Sequence, residues 1–245
     1  MALHINNLHV TVEGKEILKG VNLIAEQGKV TVLMGRNGSG KSTLSNTIMG
    51  HPRYEVTKGS ILVDNEEIKE LKTNERAKKG LFLSFQYPQE VTGVSIKNFL
   101  RTAYNSLHNT KIGFLEFQKL LEEKRKMLEM DQMFLERNIN EGFSGGEKKR
   151  SEILQLAVLQ PKFAIFDETD SGLDVQSLKI VAEGVNKIRE TKQMGVLLIT
   201  HYNRILRYIK ADKVCIMADG KIIKEGGPEL ADEIEHKGYE ELLAL

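Results

Sequence analysis

Hydrophobic and polar positions change rhythm along this chain, and each change predicts a different kind of element. Leu8, Val10 and Val12 alternate with other residues before Glu13-Gly14-Lys15, and Ile61 and Val63 alternate before Asp64-Asn65. The first sixty-odd residues therefore predict strands joined by tight turns. Between them the run Val30-Thr31-Val32-Leu33-Met34 predicts a central buried strand. A glycine-rich turn and a helix over residues 42–49 follow, and residues 81–85 are strand-like. From about residue 86 to 159 the chain is rich in Lys, Glu, Leu and Met, with a strongly charged helical stretch over 115–130. Strand-like runs return at 163–166, 196–200 and 214–217, with a helix over about 175–190, and Asp219-Gly220 predicts the turn of a last hairpin. Strands alternating with helices around a helical insert predict an α/β fold with a mostly parallel sheet and a lateral helical subdomain.

Composition narrows this only modestly. The chain has 245 residues, enough for one large domain with a sizeable core. Lys and Arg number 35 against 34 Asp and Glu, so the net charge of +1 offers no general footprint for nucleic acid. The single cysteine excludes an intramolecular disulfide and fits a reducing compartment. Cys215, inside Val214-Cys215-Ile216-Met217, is expected to pack in the core. Apolar runs such as Val30–Met34 fall far short of the roughly 20 residues of a spanning helix. The N-terminus lacks a signal-peptide layout. The expectation is a cytoplasmic protein without direct membrane insertion. His4, His9, His51, His108 and His236 show no metal-ligand spacing and are read as surface or turn residues, and residues 122–126 as a solvated helix face.

The chemistry starts at Gly35-Arg36-Asn37-Gly38-Ser39-Gly40-Lys41-Ser42-Thr43, which satisfies G-x-x-x-x-G-K-[ST]. Glycines let consecutive backbone N–H groups curl around phosphates, and the helix N-terminus behind them favours an anion. Lys41 is the candidate partner of the β- and γ-phosphates, and the Ser42 hydroxyl a candidate Mg²⁺ ligand. The strand-like run 163–166 ends in Asp167-Glu168. Because side chains alternate along a strand, the two acids are expected to project differently. Asp167 suits Mg²⁺, and Glu168 suits the positioning and polarising of an attacking water.

Four further segments occur in a telling order: Gln86 after the run 81–85, Phe143-Ser144-Gly145-Gly146-Glu147, Ser171-Gly172-Leu173-Asp174, and His201 after the run 196–200. With them the sequence resembles the ATP-binding-cassette (ABC) family over nearly its whole length. That resemblance implies the ABC ATPase fold: a P-loop parallel-sheet core with an antiparallel β subdomain and a helical subdomain. It implies a single domain, with residues 1–85 and 160–245 as core and 86–159 as helical subdomain. It also implies ATP and Mg²⁺ as cofactors and hydrolysis to ADP and phosphate. Gln86 matches the glutamine that senses γ-phosphate and Mg²⁺, and His201 the histidine that contacts the γ-phosphate. Ser144, Gly145 and Gly146 match the signature loop, with Phe for Leu and Glu for Gln, which meets the nucleotide of a second copy in an ATP-dependent homodimer.

Two runs narrow the resemblance. Residues 143–150, FSGGEKKR, and 167–174, DETDSGLD, depart from common transporter subunits and resemble the ATPases of the SUF iron–sulfur cluster assembly system. This implies a scaffold partner, SufB and often SufD, with residues 87–91 on the docking surface. One Cys and scattered His do not suffice to ligate a cluster. The nucleotide-binding subunit of an ABC transporter is the rival reading. A DNA-associated ATPase of the chromosome-maintenance kind would place a long coiled coil where only about a hundred residues separate phosphate loop and signature. Residues 10–13 hold no aromatic for stacking on adenine, although Val12 and Ile17 can make apolar contact. Modest affinity and weak base selectivity are expected.

Overall fold

The structure is a computed structural model that describes residues 1–86 and 88–243. A long hairpin opens the chain: β1 (Ala2–Val12) pairs antiparallel with β2 (Lys15–Glu26), and Glu13 and Gly14 turn the corner with φ of 52° and 81°. Then come β3 (Val30–Met34), α1 (Lys41–Ile48), β4 (Tyr54–Val63), β5 (Glu66–Glu67), α2 (Thr73–Lys78) and β6 (Leu81–Ser84). The middle holds β7 (Val91–Ser95), α3 (Ile96–His108), α4 (Phe114–Met127), β8 (Asn138–Ile139) and α5 (Gly145–Leu159). The chain continues through β9 (Phe163–Asp167), α6 (Val175–Lys192), β10 (Gly195–Thr200), β11 (Lys213–Ala218), β12 (Lys221–Gly226) and α7 (Glu229–Leu243).

Strands β11-β3-β10-β9-β6 run parallel in that spatial order, and β12 caps one edge antiparallel to β11. A second, antiparallel sheet has the order β2-β1-β4-β5. Strands β3, β9 and β10 are buried along their full length, which explains their near-continuous apolar sequence. Alternation sorts their side chains between two cores. Val32, Phe166 and Leu198 face α5 and α6, whereas Leu33, Ile165 and Ile199 face α1 and the antiparallel sheet. Cys215 is fully buried in the second core, where burial pushes its thiol up to about 12, so it packs rather than reacts.

A third core joins Leu100, Phe117, Leu121, Phe134 and Phe143. Helix α5 serves two cores at once: Ile153, Leu156 and Ala157 turn to the sheet, Leu154 and Val158 to the third cluster. A helix apolar around most of its girth is one buried on most sides.

Several expectations need correction. The charged helix forms as Phe114–Met127, not 115–130, because Leu128 and Glu129 leave helical geometry, Glu129 with φ 54°. Within 122–126 only Glu123 and Lys126 are exposed. Lys124 is buried, and Arg125 bends back to Glu122 and to the Met130 carbonyl. The middle segment is also not purely helical, since β7 and β8 form a short antiparallel ribbon. Of the five histidines read as surface or turn residues, His51, His108 and His236 are exposed, while His4 and His9 are half-buried. His9 Nδ1 lies 2.8 Å from Glu16.

Arg76 pins the helix that carries the phosphate loop. It is 3% exposed, and its guanidinium donates to the carbonyls of Thr47 at 2.7 Å and Ile48 at 2.9 Å, at the C-terminal end of α1. It also donates to Leu71 at 2.8 Å and to the Lys69 carbonyl. A cation is favourable where the helix dipole is negative, and the last carbonyls of a helix lack intrahelical partners. Arg76→Met keeps much of the apolar stem but leaves buried acceptors unpaired. Urea denaturation should show a loss of about 1–3 kcal/mol; a midpoint equal to that of the unaltered protein would remove Arg76 from this role.

Candidate active site

The phosphate loop leaves β3 at its C-terminal end, where the strand's apolar run stops at Met34 and Gly35 begins a turn. Gly35 tolerates no side chain, since a Cβ there would lie 2.3 Å from the Met217 carbonyl. Gly40, the residue before α1, has φ 110°, a conformation that favours glycine. Lys41 then opens α1 and turns back over the loop. Its ammonium donates to the carbonyls of Gly35 at 2.8 Å and Arg36 at 3.1 Å, and lies 3.5 Å from Glu168 Oε1. Only 3% of Lys41 is exposed. Burial pulls its ammonium below the ordinary range, and the Glu168 charge pulls it back up.

Asp167 ends β9 opposite the start of α1. Its Oδ1 accepts from Ser42 Oγ at 3.1 Å and its Oδ2 from Ser45 Oγ at 2.7 Å. Burial raises its carboxyl above the usual range, and the two hydroxyls counteract that. Ser45 is a site residue that motif reasoning missed. Its signal was its place three residues after Ser42, hence on the same face of a helix.

Glu168 departs from the strand with φ 48°. Strand alternation therefore does not account for its direction. A left-handed backbone does, held by the Glu168 N–H donating to the Ile199 carbonyl at 2.9 Å. Left-handed residues other than glycine cost of order 1 kcal/mol or more and concentrate at functional sites. This turn aims the carboxylate into a ring of three groups. Gln86 Nε2 donates to Oε2 at 3.1 Å, and Lys41 Nζ and His201 Nδ1 each lie 3.5 Å from Oε1. Four residues from four separate stretches of chain thus meet at one carboxylate.

The loop behind His201 is fixed by Asp170, which sequence reasoning passed over. Asp170 is fully buried, and its Oδ2 accepts from Thr200 Oγ1 at 2.9 Å. The Tyr202 N–H donates to that same hydroxyl at 3.0 Å, and the Arg204 guanidinium donates to the Asp170 carbonyl. Burial raises the Asp170 carboxyl, with the Thr200 hydrogen bond pulling it back.

Ser144, Gly145 and Gly146 sit elsewhere. Ser144 caps α5, and among the described residues no hydrogen bond or ion pair joins these three to Lys41, Asp167, Glu168 or His201. Ser144 and Gly145 are exposed. Glu147 has a local role. Ser144 Oγ accepts from the Glu147 N–H at 3.2 Å and Glu147 Oε2 accepts from the Ser144 N–H at 2.9 Å, a reciprocal cap. That backbone hydrogen bond holds the Glu147 carboxyl low, assisted by Arg137. Gly146 has its own constraint, since a Cβ would come 2.6 Å from Ser177 Oγ at the start of α6. The Ser171–Asp174 loop ends in Asp174, whose carboxylate accepts from the Ser177 N–H at 2.9 Å to cap α6. Of residues 87–91, Tyr87 lies outside the described residues, and Val91 begins β7.

The groups around the loop suit an oxygen-rich anion and a hard cation. Ser39 Oγ and His201 Nδ1 are buried without a hydrogen-bond partner. Oxygen donors from Ser42 and Asp167 match Mg²⁺ chemistry. Among the described residues, no cluster of three His, Cys, Asp or Glu side chains can hold a metal unaided.

Comparison with known proteins agrees with this geometry. A family model described as ABC transporter matches residues 18–171. The chain belongs to this family. It is an ATPase, hydrolysing ATP to ADP and phosphate. It is 53% identical over 247 residues to a probable ATP-dependent transporter of Cyanophora paradoxa, covering 99% of this chain and 95% of that one. A solved ATP-binding cassette of an ABC transporter in its ADP conformation superposes with TM-score 0.80 at 26% identity, covering 97% of this chain and 96% of that one. A dimeric bacterial ABC transporter cassette shares the fold, with TM-score 0.78, 23% identity and coverage of 92% and 98%. The fold is thus the ABC ATPase fold, and no helix among the described residues is long and apolar enough to cross a membrane.

The cap predicts how the signature start responds to change. Glu147→Gln keeps an acceptor for the Ser144 N–H and should cost little, whereas Glu147→Ala should lose about 0.5–2 kcal/mol in a thermal or urea melt. Equal melts for the two variants would mean that the reciprocal cap contributes nothing.

Proposed function

We propose that this ATPase works as one half of an ATP-driven clamp, and that it is a SufC-type subunit whose closure reshapes a SufB/SufD scaffold during iron–sulfur cluster assembly. The observation that carries the clamp is the separation of parts. Lys41, Glu168, Gln86 and His201 gather at one point, while Ser144 and Gly145 stand exposed with no bond to them. A second copy can bring its signature to the first copy's nucleotide, and a cassette of the same fold is described as dimeric. The SufC-type output rests on residues 143–150 and 167–174. The rival, a transporter subunit, is favoured by the printed name of the Cyanophora relative.

In this reading backbone N–H groups of residues 35–43 cradle the phosphates and Lys41 leaves its loop carbonyls for the β- and γ-oxygens. Ser42, Asp167 and the Gln86 amide oxygen are the groups that would hold Mg²⁺. That ion supplies charge neutralisation on the phosphate oxygens when bound. Glu168 accepts the proton of the attacking water and His201 steadies the γ-phosphate. Residues 86–159 act as the helical subdomain, residues 1–85 and 160–245 as the core, and the protein works in the cytoplasm. Base selectivity is weak; β-pairing sets Tyr54 across from Val12, but that ring makes an edge contact with His51.

Phe85, 53% exposed, and Val91, 39% exposed, flank residues 86–90 and supply apolar surface for the scaffold. Pull-down from cells separates the two outputs. A soluble SufB-type scaffold retained by the chain supports the reading, and a partner with membrane spans overturns it.

Glu168→Gln should bind MgATP but turn it over roughly 10²–10⁴-fold more slowly. Near-normal steady-state turnover would remove Glu168 from the role of base.

Turnover per chain should also rise with chain concentration, because a lone chain lacks the partner's Ser144 and Gly146 as donors to the transferring phosphoryl group. Losing one such donor commonly costs roughly 10²–10³-fold. A dilution series with and without scaffold, beside Ser144→Arg, measures this. Concentration-independent turnover from a proven monomer, or full activity in the variant, would reject the shared site.

A further inference from the structure

Helix α5 starts at the signature and runs directly beneath the segment that carries Gln86, and the two are joined by a buried ion pair that the reaction itself does not use. Lys149 and Glu152 are 5% and 3% exposed, with Lys149 Nζ 2.8 Å from Glu152 Oε2. The same carboxylate accepts from Ser84 Oγ at 2.8 Å and, through Oε1, from the Phe85 N–H at 3.0 Å. Lys149 donates in turn to the Phe85 carbonyl, and lies 3.5 Å from Ser84 Oγ. One ion pair thus clasps both backbone polar groups of the residue just before Gln86. Two outer contacts act in parallel: Lys148 pairs with Glu90 at 2.9 Å, and Asn140 Nδ2 donates to the Gln89 carbonyl at 2.8 Å.

A buried pair is a poor source of stability, since desolvating two charges offsets most of their attraction. Burial indeed raises the Glu152 carboxyl, with Lys149 pulling it back. What such a pair does supply is a fixed geometry. The position matters because the two elements it joins belong to different nucleotide sites of a closed dimer. Gln86 contacts Glu168 of its own chain at 3.1 Å, whereas Ser144, five residues ahead of Lys149, points outward at the N-terminus of α5.

We infer that Glu152, with Lys149, is a positioning residue that couples the γ-phosphate-sensing Gln86 of one site to the signature serine and glycines serving the other. This rests on the shared-site reading above. When Gln86 shifts to meet Mg²⁺ and the γ-phosphate, the Phe85 backbone shifts with it. The carboxylate and ammonium transmit that displacement to α5 and so to Ser144. Coupling of this kind is reciprocal and commonly changes an equilibrium by about 5–150-fold.

The test uses the full chain in three forms. Lys149→Met/Glu152→Leu replaces the pair by apolar side chains of similar size and leaves no lone buried charge. Ser84→Ala removes one hydrogen bond to the carboxylate and leaves the pair intact. The unaltered chain is the reference. Thermal melts report folding, equilibrium titration of the dilute chain reports ATP affinity, and sedimentation reports how far ATP tightens self-association.

The double variant should melt as a single cooperative transition and bind ATP with unchanged Kd. The factor by which ATP tightens its dimer should fall by about 5-fold or more. Ser84→Ala should show a smaller fall in the same factor. A double variant that folds and keeps the full factor overturns the inference, because the pair is then packing alone. Should the double variant fail to fold, the decision passes to Ser84→Ala, and an unchanged factor there overturns it equally. An unaltered chain that shows no ATP-dependent association sinks the shared-site reading itself, and this inference with it, a result separable from the others because it appears before any substitution.

Discussion

Two opposite charges are taken out of water at the C-terminal edge of a parallel sheet, and most of the architecture answers to that. Lys41 and Asp167 are each almost completely buried, and neither is the other's hydrogen-bond partner. Desolvation works against the charged form of both. Lys41 is compensated by two carbonyls of its own loop and by Glu168, and Asp167 by two serine hydroxyls of α1. Such compensation requires α1, β3 and β9 to hold fixed relative positions. Full burial of β3 and β9 on both faces supplies that rigidity, and Arg76 holds the far end of α1.

The same logic explains why the cluster around Glu168 is preorganised while the loop of Ser144, Gly145 and Gly146 is not attached to it. Glu168 is turned into place by a left-handed backbone and a hydrogen bond to the neighbouring strand. His201 follows from a loop held by the buried Asp170–Thr200 contact. Each of these contacts lies within one layer of the molecule. Ser144 instead begins a helix whose apolar girth is divided between the sheet and the third core, so its exposed N-terminus can move only as α5 moves. Self-contained caps at Ser144–Glu147 and Asp174–Ser177 keep these exposed helix starts ordered without help from the cluster.

Much of this could be read without coordinates. The G-x-x-x-x-G-K-S run, the strand ending in Asp167-Glu168 and the apolar strands 30–34 and 196–200 follow from local pattern: a phosphate loop and a twice-buried strand impose their residue types over a few consecutive positions. The order of Gln86, Ser144-Gly145-Gly146 and His201 was likewise visible along the chain. What stayed hidden depends on contacts between distant stretches. Ser45 becomes a partner of Asp167 only once α1 lies across the end of β9, 122 positions away in sequence. Lys149 and Glu152 look like a charged helix face, and only the packing of α5 under β6 shows them to be buried. Likewise the direction of Glu168 is set by a left-handed backbone that no residue type at that position announces. Local composition determines which chemistry the chain carries, because motifs are short and steric. The tertiary structure alone decides which charges lose water and which elements move together, because burial belongs to the packed whole.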